Sequence, residues 1–247
     1  MKVSVVIPAH NEEQAIGSTL ESVLNEVSPP LEILVVADHC TDRTEAILAT
    51  FTKNNSSIHL LRNERARGFS NAVITGFQHA QGEFVIAVMA DACDDPRTIN
   101  PMREALTHLG VDVVCGSRYM KGGQKIGGPF LQDLCSRLVC YSLRLFAQAR
   151  TWDATNAFKM YRREFLLRVS YDMPGYGTEY SLALFIRACA RGARIIEVPT
   201  TWIWREAQPS LTQEIRVLKR FPGYWPWYRR ALMRFRSSSS HTEDVRE

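Results

Sequence analysis

The sequence of 247 residues lacks a long hydrophobic run. Its longest apolar stretches, residues 34–37 and 84–90 among them, cover only a few residues, whereas a helix that spans a bilayer needs about 20. The N-terminus carries one Lys and a five-residue apolar segment, which is too short for the hydrophobic region of a signal peptide. We therefore expect a chain that does not cross a bilayer and that resides in the cytoplasm.

Paired cysteines are also missing. The six cysteines are scattered, and none forms a CxxC pair, which argues against a zinc ribbon or a thioredoxin-like site. Several lie within apolar runs, as small core residues do. A reducing compartment, where cysteines remain free thiols, fits this pattern.

The short motifs of several enzyme classes are absent as well. There is no GxxxxGK[ST] phosphate loop, and no GxGxxG follows the first predicted strand, so a P-loop enzyme is excluded and a dinucleotide-binding domain is disfavoured. The GxSxG turn of the α/β-hydrolases and the HExxH zinc motif are missing too.

Acidic residues are absent from Ile215 to Thr242, although the whole chain has 26 acidic and 30 basic residues and a net charge of +4. This stretch holds seven Arg or Lys residues and the aromatic segment FPGYWPWY at 221–228. Aromatic and basic side chains together favour the headgroup region of an anionic membrane. The alternative is that the aromatics pack on the domain or on a second subunit. No nucleic-acid reading module accompanies the basic residues, so nucleic acid is not an expected partner.

Short β-rich segments alternate with amphipathic segments over the first half of the chain. Apolar periodicity predicts strands over 3–7, 31–37, 57–61, 84–89 and 111–115, and helices over 12–26, 42–53, 69–80 and 96–109. This order predicts an α/β fold with a mainly parallel sheet and helices on both faces. Sheets of this kind bind ligands at the C-terminal ends of their strands.

The alternation stops after Cys115. The sequence predicts a glycine-rich loop over 116–129, a helix over 130–148, an irregular or extended segment over 151–161, a helix over 178–191 and a strand over 194–198 that Pro199 ends. We predict three regions: a main domain over 1–212, a basic aromatic membrane-interface segment over 213–236 and a disordered tail over 237–247.

Polar residues follow four of the predicted strands where each strand ends. They occupy 8–13, 38–42, 91–95 and 116–119. Because parallel strands bring these ends to one edge of the sheet, we expect a single ligand crevice there. The acidic residues of 91–95 suit Mg²⁺ or Mn²⁺, which could then bridge phosphate oxygens. For Asp95 the alternative is a favourable interaction with the start of the following helix.

Taken in order, the segments PAHNEE, VVADHCTD, RGFSNAVITGF, MADACDDP and GSRYMKGG resemble family 2 glycosyltransferases of the GT-A fold. The later segments DATNAFKMYRRE and GTEYSLALFIRACARGARIIEVPTTW are similar to those of the polyprenyl-phosphate sugar transferases, the group that includes dolichol-phosphate mannosyltransferase. The resemblance covers roughly residues 2–212. It implies a GT-A domain, a nucleotide-sugar donor, a divalent cation and a polyprenyl phosphate acceptor.

The resemblance implies residue roles on the donor side. The usual D-x-D metal motif is altered, because Cys93 stands at the second Asp if Asp91 is the first. A neighbouring Asp would then supply the missing oxygen, and an alignment shifted by one residue fits equally well. The implied metal ligands are Asp91, Asp94 and Asp95, and the implied nucleotide-sugar contacts are Pro8, His10, Glu12, Asp38, Arg67, Gly68 and Asp91.

The resemblance also implies an acceptor side built from cations. A phosphate acceptor is already ionised at neutral pH, so it needs cations around it rather than a strong base. Arg118, Arg137 and Arg205 match the arginines of the family, and Ser210 matches a hydroxyl contact. For Arg137 the alternative is a solvated helix face. Asp153 and Asn156 are expected to shape this side by local hydrogen bonds.

The implied catalytic residues are Asp91, Arg118 and Glu179. The resemblance implies an inverting, metal-assisted transfer of a hexose from UDP- or GDP-hexose to a polyprenyl phosphate, and we expect a protein bound peripherally to the cytoplasmic face of a membrane. One alternative is a transferase with a saccharide or other hydroxyl acceptor, which needs Glu179 or another acid as its base. If Glu179 is not the base, it stabilises the dipole of the following helix. A second alternative is a non-catalytic nucleotide-sugar binding protein. The sequence leaves open which sugar is transferred, which nucleotide base the donor carries and whether the chain forms a homodimer.

Overall fold

The computed structural model of the chain describes residues 1–146, 149–170, 177, 179–205, 225, 226, 228, 229 and 233. Ser210 and most of the predicted interface segment lie outside these residues, as does the whole of the predicted tail over 237–247. The predicted division into three regions therefore stays a prediction.

Five strands and four helices alternate in the first half, as predicted. α1 begins at Ile16 instead of residue 12, and the helix predicted to begin at residue 96 starts as a single 3-10 turn, Pro96–Thr98. The strands are β1 (Val3–Ala9), β2 (Leu31–Ala37), β3 (Ile58–Arg62), β4 (Phe84–Ala87) and β5 (Val113–Ser117), and the helices are α1 (Ile16–Glu26), α2 (Thr44–Asn54), α3 (Phe69–His79) and α4 (Ile99–His108).

The second half contains β6 (Gln124–Ile126), α5 (Phe130–Phe146), β7 (Lys159–Arg162), α6 (Arg163–Ser170), α7 (Tyr180–Ala190), β8 (Ile195–Pro199) and β9 (Thr201–Ile203). The structure corrects the sequence prediction here, because the glycine-rich loop contains β6 and because α6 was not predicted. Pro199 also does not end the extended chain, because β9 follows and pairs with β6. Pro199 is tolerated at the end of β8 because β8 is an edge strand of its sheet.

Within the described part of the chain, the main sheet has seven strands in the order β3-β2-β1-β4-β7-β5-β8. All pairs are parallel except those of β7, which runs antiparallel between β4 and β5. The prediction of a mainly parallel sheet is therefore confirmed, but the short central strand β7 was expected only as an irregular or extended segment. The strand order reverses at β1, whose neighbours are β2 and β4, and a ligand crevice is expected outside such a reversal.

Helices cover both faces of the sheet. Val5 and Ile7 of β1 belong to one apolar cluster with residues of α1, α2 and α4, while Val6 belongs to a second cluster with residues of α3, α6 and α7. Gly76 of α3 lets that helix approach closely, because a Cβ there would lie 2.2 Å from Val6 Cγ1. No helix among the described residues is both long and apolar enough to cross a membrane.

A buried carboxylate holds the N-terminal edge of the sheet together. Glu32, which is 3% exposed, pairs with Lys2 at 2.6 Å and accepts hydrogen bonds from Ser4 Oγ and from the backbone N of Gln81 at 2.6 Å. Burial alone would raise the Glu32 pKa, but the hydrogen bonds from Lys2, Ser4 and Gln81 outweigh burial and lower this pKa below its ordinary value of 4.5.

Candidate active site

A cavity of about 820 Å³ opens at the C-terminal edge of the sheet. Its walls come from the segment after β1, from α1, from the loop after β4 and from β9. The structure therefore brings together polar residues from three of the four predicted clusters, 11–13, Asp42 and 91–95, and adds Arg205. We refer to this space as the sheet-edge cavity.

Backbone strain gathers at the same edge. Asn11, His39 and Ala92 are the non-glycine residues with positive φ in the described part of the chain, at 56°, 53° and 56°. They follow β1, β2 and β4, respectively. The left-handed conformation costs an alanine about 1–2 kcal/mol, and such strain tends to collect at functional sites.

Asp38 lies at the end of β2 and is 4% exposed. Its Oδ1 accepts a hydrogen bond from Asn63 Nδ2 at 2.6 Å, and its Oδ2 accepts one from the backbone N of Gly68 at 2.9 Å. The carboxylate thus ties the loop before α3 to β2. His10 joins this network, because its Nδ1 lies 2.6 Å from the Asp38 carbonyl oxygen. A carbonyl only accepts, so Nδ1 donates and Nε2 is left as an acceptor in the neutral ring.

The other residues that the resemblance implies as nucleotide-sugar contacts lie in different environments. Glu12 lines the sheet-edge cavity, and its backbone N donates to Thr44 Oγ1 at 2.8 Å. Pro8 is buried within β1, beside Val36 of β2, so its side chain belongs to the sheet. Arg67 is exposed on the loop that Asp38 anchors.

The acidic loop after β4 places two carboxylates at the cavity. Asp91 is half-buried, and its Oδ1 accepts a hydrogen bond from the backbone N of Cys93 at 3.0 Å. Asp94 is 8% exposed, and burial together with the charge of Asp91 raises its pKa to about 7. A cation between the two carboxylates would relieve this repulsion, so the pair suits a divalent metal.

Asp95 has a different set of partners. It accepts a hydrogen bond from the backbone N of Arg97 at 3.1 Å and forms an ion pair with the Arg97 side chain at 2.9 Å. It therefore caps the 3-10 turn, as the alternative interpretation expected. Among the described residues, no three His, Cys, Asp or Glu side chains are grouped to hold a metal. Mg²⁺ is, however, commonly bound by only one or two protein carboxylates, and substrate phosphates supply further ligands.

Arg205 reaches the acidic loop from the far end of the described chain. Its Nε donates to the carbonyl oxygen of Ala92 at 3.1 Å, and its side chain lines the cavity. β9 supports this contact, because Ile203 N donates to Cys93 O at 2.9 Å and Trp202 pairs with Asp94 as an isolated bridge. Arg205 was expected with Arg118 and Arg137 at the acceptor phosphate, whereas the structure places it beside the acidic loop, because β9 brings it to Ala92.

Arg118 follows β5 and is held by a buried ion pair. Its Nε and Nη2 donate to Asp153 at 2.7 Å and 2.9 Å, and the two side chains are 11% and 0% exposed. Its Nη1 forms no hydrogen bond within the described part of the chain. Asp153 also accepts from the backbone N of Asn156, and Asn156 Nδ2 donates to Gly116 O at 2.9 Å. Both residues thus make the local hydrogen bonds that the sequence predicted.

A second polar group lies near Arg118, and the sequence prediction missed two of its members, Lys125 and Asp133. The Asp133 carboxylate accepts from Tyr119 OH at 3.0 Å and from Arg137 Nε at 2.8 Å, and it pairs with Lys125 Nζ at 3.2 Å. We call Tyr119, Lys125, Asp133 and Arg137 the Asp133 cluster. The i,i+4 spacing of Asp133 and Arg137 was visible in the sequence, but Lys125 gave no such signal.

Trp202 separates the Asp133 cluster from the sheet-edge cavity. Its neighbours Thr201 and Ile203 line the cavity, while the Trp202 ring lies 5.6 Å from Lys125 Nζ and 6.0 Å from the Arg118 guanidinium. Gly128 has φ of +88° and leaves room for the ring, which would lie 3.2 Å from a Cβ there. The acidic pair therefore lies at the sheet-edge cavity, and the cations lie on the Trp202 side of β9.

Glu179 lies outside the cavity lining. It precedes α7, and its Oε1 accepts a hydrogen bond from the backbone N of Gly177 at 3.1 Å. Its side chain makes no capping hydrogen bond to α7, and Glu179 precedes the first turn of that helix. Ser210 lies outside the described residues.

Comparison with known proteins is consistent with this geometry. The sequence model of glycosyl transferase family 2 matches residues 4–169. The chain is 30% identical over 209 residues to a dolichol-phosphate mannosyltransferase of Pyrococcus furiosus, with 82% of this chain and 56% of that protein covered. It is 29% identical over 216 residues to an undecaprenyl-phosphate mannosyltransferase of Micrococcus luteus, with 85% and 87% covered. The chain thus spans little more than half of the Pyrococcus relative.

Among solved structures, the chain is similar to glucosyl-3-phosphoglycerate synthase from Mycobacterium tuberculosis in complex with Mn²⁺, UDP and glucosyl-3-phosphoglycerate. The TM-score is 0.66 at 20% identity, and the match covers 89% of this chain and 76% of that one. At this identity the likeness shows a shared fold.

Proposed function

The chain belongs to glycosyl transferase family 2, as its sequence predicted, and on that premise we propose that it transfers a hexose from a nucleotide-sugar to a polyprenyl phosphate with inversion. The observation that carries the proposal is the placement of an acidic pair and a group of cations on the two sides of β9. Asp91 and Asp94 lie at the sheet-edge cavity, and the cations Arg118, Lys125 and Arg137 cluster on the side of Trp202. The names of the Pyrococcus and Micrococcus relatives support the same acceptor class.

On the donor side, Asp91 and Asp94 would hold Mg²⁺ or Mn²⁺, which when bound neutralises charge on the leaving diphosphate. The solved relative with Mn²⁺ and UDP supports a divalent cation. Arg205 adds a positive charge beside the acidic loop through its contact with Ala92. Asp38 and His10 fix the loops where the nucleotide would lie.

On the acceptor side, the phosphate needs no proton removed, because it is ionised at neutral pH. Lys125, Arg137 and the open Nη1 of Arg118 can offset its charge and hold it near the sugar. The phosphate oxygen then attacks the sugar carbon from the side opposite the leaving diphosphate, which inverts that carbon.

The exposed face of α5 supports a membrane surface as the place of reaction. Large apolar side chains recur every three or four residues along this helix and so lie on one face. Tyr228 OH donates a hydrogen bond to Ser142 Oγ at 2.9 Å, so this residue of the aromatic C-terminal segment lies against α5. We propose that this face rests in the headgroup region on the cytoplasmic side of a membrane. The exposed residues are Phe130 (70%), Leu134 (43%), Leu138 (60%), Tyr141 (58%) and Leu145 (59%).

A donor and acceptor panel tests the proposal. UDP-glucose, UDP-GlcNAc and GDP-mannose would each be incubated with a polyprenyl phosphate, with and without Mn²⁺, and the glycosylated lipid phosphate would be detected by mass spectrometry. We expect one donor to yield product only when the metal is present. Transfer to a saccharide hydroxyl, with none to the lipid phosphate, would overturn the proposal.

A further inference from the structure

The Asp133 carboxylate is the meeting point of donors from three separate elements. Tyr119 lies in the loop after β5, Lys125 lies on β6, and Arg137 lies one turn further along α5. Their donor atoms lie between 2.8 and 3.2 Å from the two oxygens of Asp133. Several donors that converge on one anion form the kind of site that binds a phosphate, yet here the anion belongs to the protein itself.

Asp133 does not neutralise all of the positive charge that surrounds it. The Lys125 side chain is 6% exposed, and burial lowers its pKa, an effect that Arg118 and Arg137 strengthen and Asp133 offsets in part. Asp153 pairs with Arg118 and also attracts Arg137 at longer range, while Asp133 pairs directly with Lys125 and Arg137. Within the described residues, these two carboxylates leave the three cations with a net positive charge. A phosphate monoester carries a charge of about −1.5 to −2 at neutral pH and would match them better.

Asp133 is also able to leave its position. Its side chain is 24% exposed, and it lies in the first turn of α5, where an acidic residue is also favoured by the helix dipole. Rotation toward solvent would free all three donors without any change in the backbone. Burial alone would raise the Asp133 pKa, but the hydrogen bond from Arg137 and the charge of Lys125 outweigh it and lower this pKa, so Asp133 is ionised at neutral pH.

We propose that Asp133 is an internal stand-in for the acceptor phosphate. It keeps Tyr119, Lys125 and Arg137 in place while the acceptor is absent, and it gives way when a phosphate monoester binds to the same donors. Asp133 therefore acts as a specificity determinant, because a neutral hydroxyl acceptor cannot displace a carboxylate from these cations. This inference rests on the proposed function and adds Tyr119 and Lys125 to its acceptor site.

The test is the substitution Asp133→Asn, which keeps the shape of the side chain and removes the competing charge. Farnesyl phosphate serves as a soluble acceptor probe, and KM is measured separately for it and for the nucleotide-sugar. We expect the KM for farnesyl phosphate to fall by about fivefold or more, since a charge-assisted competitor is lost, while the donor KM stays unchanged. Glu104→Gln is the matched control, because it removes one negative charge from an exposed position of α4.

The opposite result has a distinct signature. If Asp133 serves only to position its partners, Asp133→Asn raises the acceptor KM, and the inference is overturned. A binding measurement without turnover checks the same point: farnesyl phosphate should raise the melting temperature of Asp133→Asn more than that of the wild type, and farnesol should raise neither. If the wild type uses farnesyl phosphate but the variant binds it no more tightly than the wild type, this inference alone fails. If the wild type does not use it at all, the proposed function fails as well.

Discussion

The ion pair between Arg118 and Asp153 makes a sharp prediction about stability. Asp153 is fully buried, and Arg118 is 11% exposed. The Asp153 carboxylate accepts three hydrogen bonds from Arg118: from the backbone N at 3.1 Å, from Nε at 2.7 Å and from Nη2 at 2.9 Å. Removal of one partner from a buried pair leaves the other charge uncompensated, at a cost of about 3–5 kcal/mol. We therefore expect Asp153→Asn to lower the free energy of unfolding by about that amount.

A surface pair provides the matched comparison. Arg43 and Glu13 form an ion pair at 3.3 Å, but their side chains are 84% and 32% exposed. Exposed pairs contribute about 0–1 kcal/mol, so Glu13→Gln should change stability by no more than that. Both variants would be unfolded in urea and followed by tryptophan fluorescence. Equal losses in the two variants, or a loss below about 1 kcal/mol for Asp153→Asn, would refute the reasoning.

A double variant separates the pair from its surroundings. Replacement of both members of a buried ion pair by apolar residues is often close to neutral. The combination Arg118→Met with Asp153→Leu should therefore lose less stability than the two single variants added together. Strict additivity would indicate that Arg118 and Asp153 act through separate neighbours.

Four further predictions follow from other features. Asp91→Ala should abolish turnover and leave the unfolding midpoint unchanged; a wild-type rate that still needs metal would place the cation elsewhere. Glu179→Gln should reduce kcat by no more than about tenfold, whereas a loss of about 10²–10⁴ would indicate a general base and a hydroxyl acceptor. The folded-state pKa of Glu32 is depressed, so its contribution to the free energy of unfolding is complete above pH 4.5 and is lost as the pH falls through the lower folded-state pKa. The difference in the free energy of unfolding between the wild type and Glu32→Gln should therefore become smaller in acid. Cosedimentation of the protein with anionic vesicles should weaken at high salt without vanishing, because salt screens the basic residues but not the apolar ones. Either Leu138→Glu or deletion of the residues after Leu218 should release the protein from the vesicles. Unchanged cosedimentation of both variants would exclude α5 and the tail as the membrane anchor.

The predictable part of the fold depended on apolar periodicity. β1 and β2 are buried parallel strands that read as continuous apolar runs, and the rule that ligands bind at their C-terminal ends located the sheet-edge cavity. β7 did not show this pattern, because it has four residues and begins with Lys159. That lysine is 1% exposed, since its Nζ donates to the carbonyl oxygens of Ala154 and Asn156. A buried lysine that bonds to the backbone looks like a surface residue in sequence.

The site was predictable only where its chemistry was local. The acidic residues of 91–95 stand out as a cluster, but whether Asp95 faces a metal or caps a turn depends on the direction of one side chain. Lys125 and Asp133 form a pair between a short strand and a helix, and nothing in the sequence connects them. The approach of Arg205 to Ala92 spans 113 residues and depends on β9, which was not predicted.

The position of β7 has a consequence for the order in which the chain can fold. β4 and β5 are the fourth and fifth strands in sequence, yet they do not pair with each other, because β7 lies between them. During synthesis, β5 therefore emerges well before residues 159–162, the strand that joins it to the rest of the sheet. Until then, β4 exposes one unpaired edge and β5 exposes both, because β8 also follows β7 in sequence, and an unpaired edge is a template for pairing with other chains. The nascent chain is thus most prone to aggregate between the synthesis of β5 and that of β7.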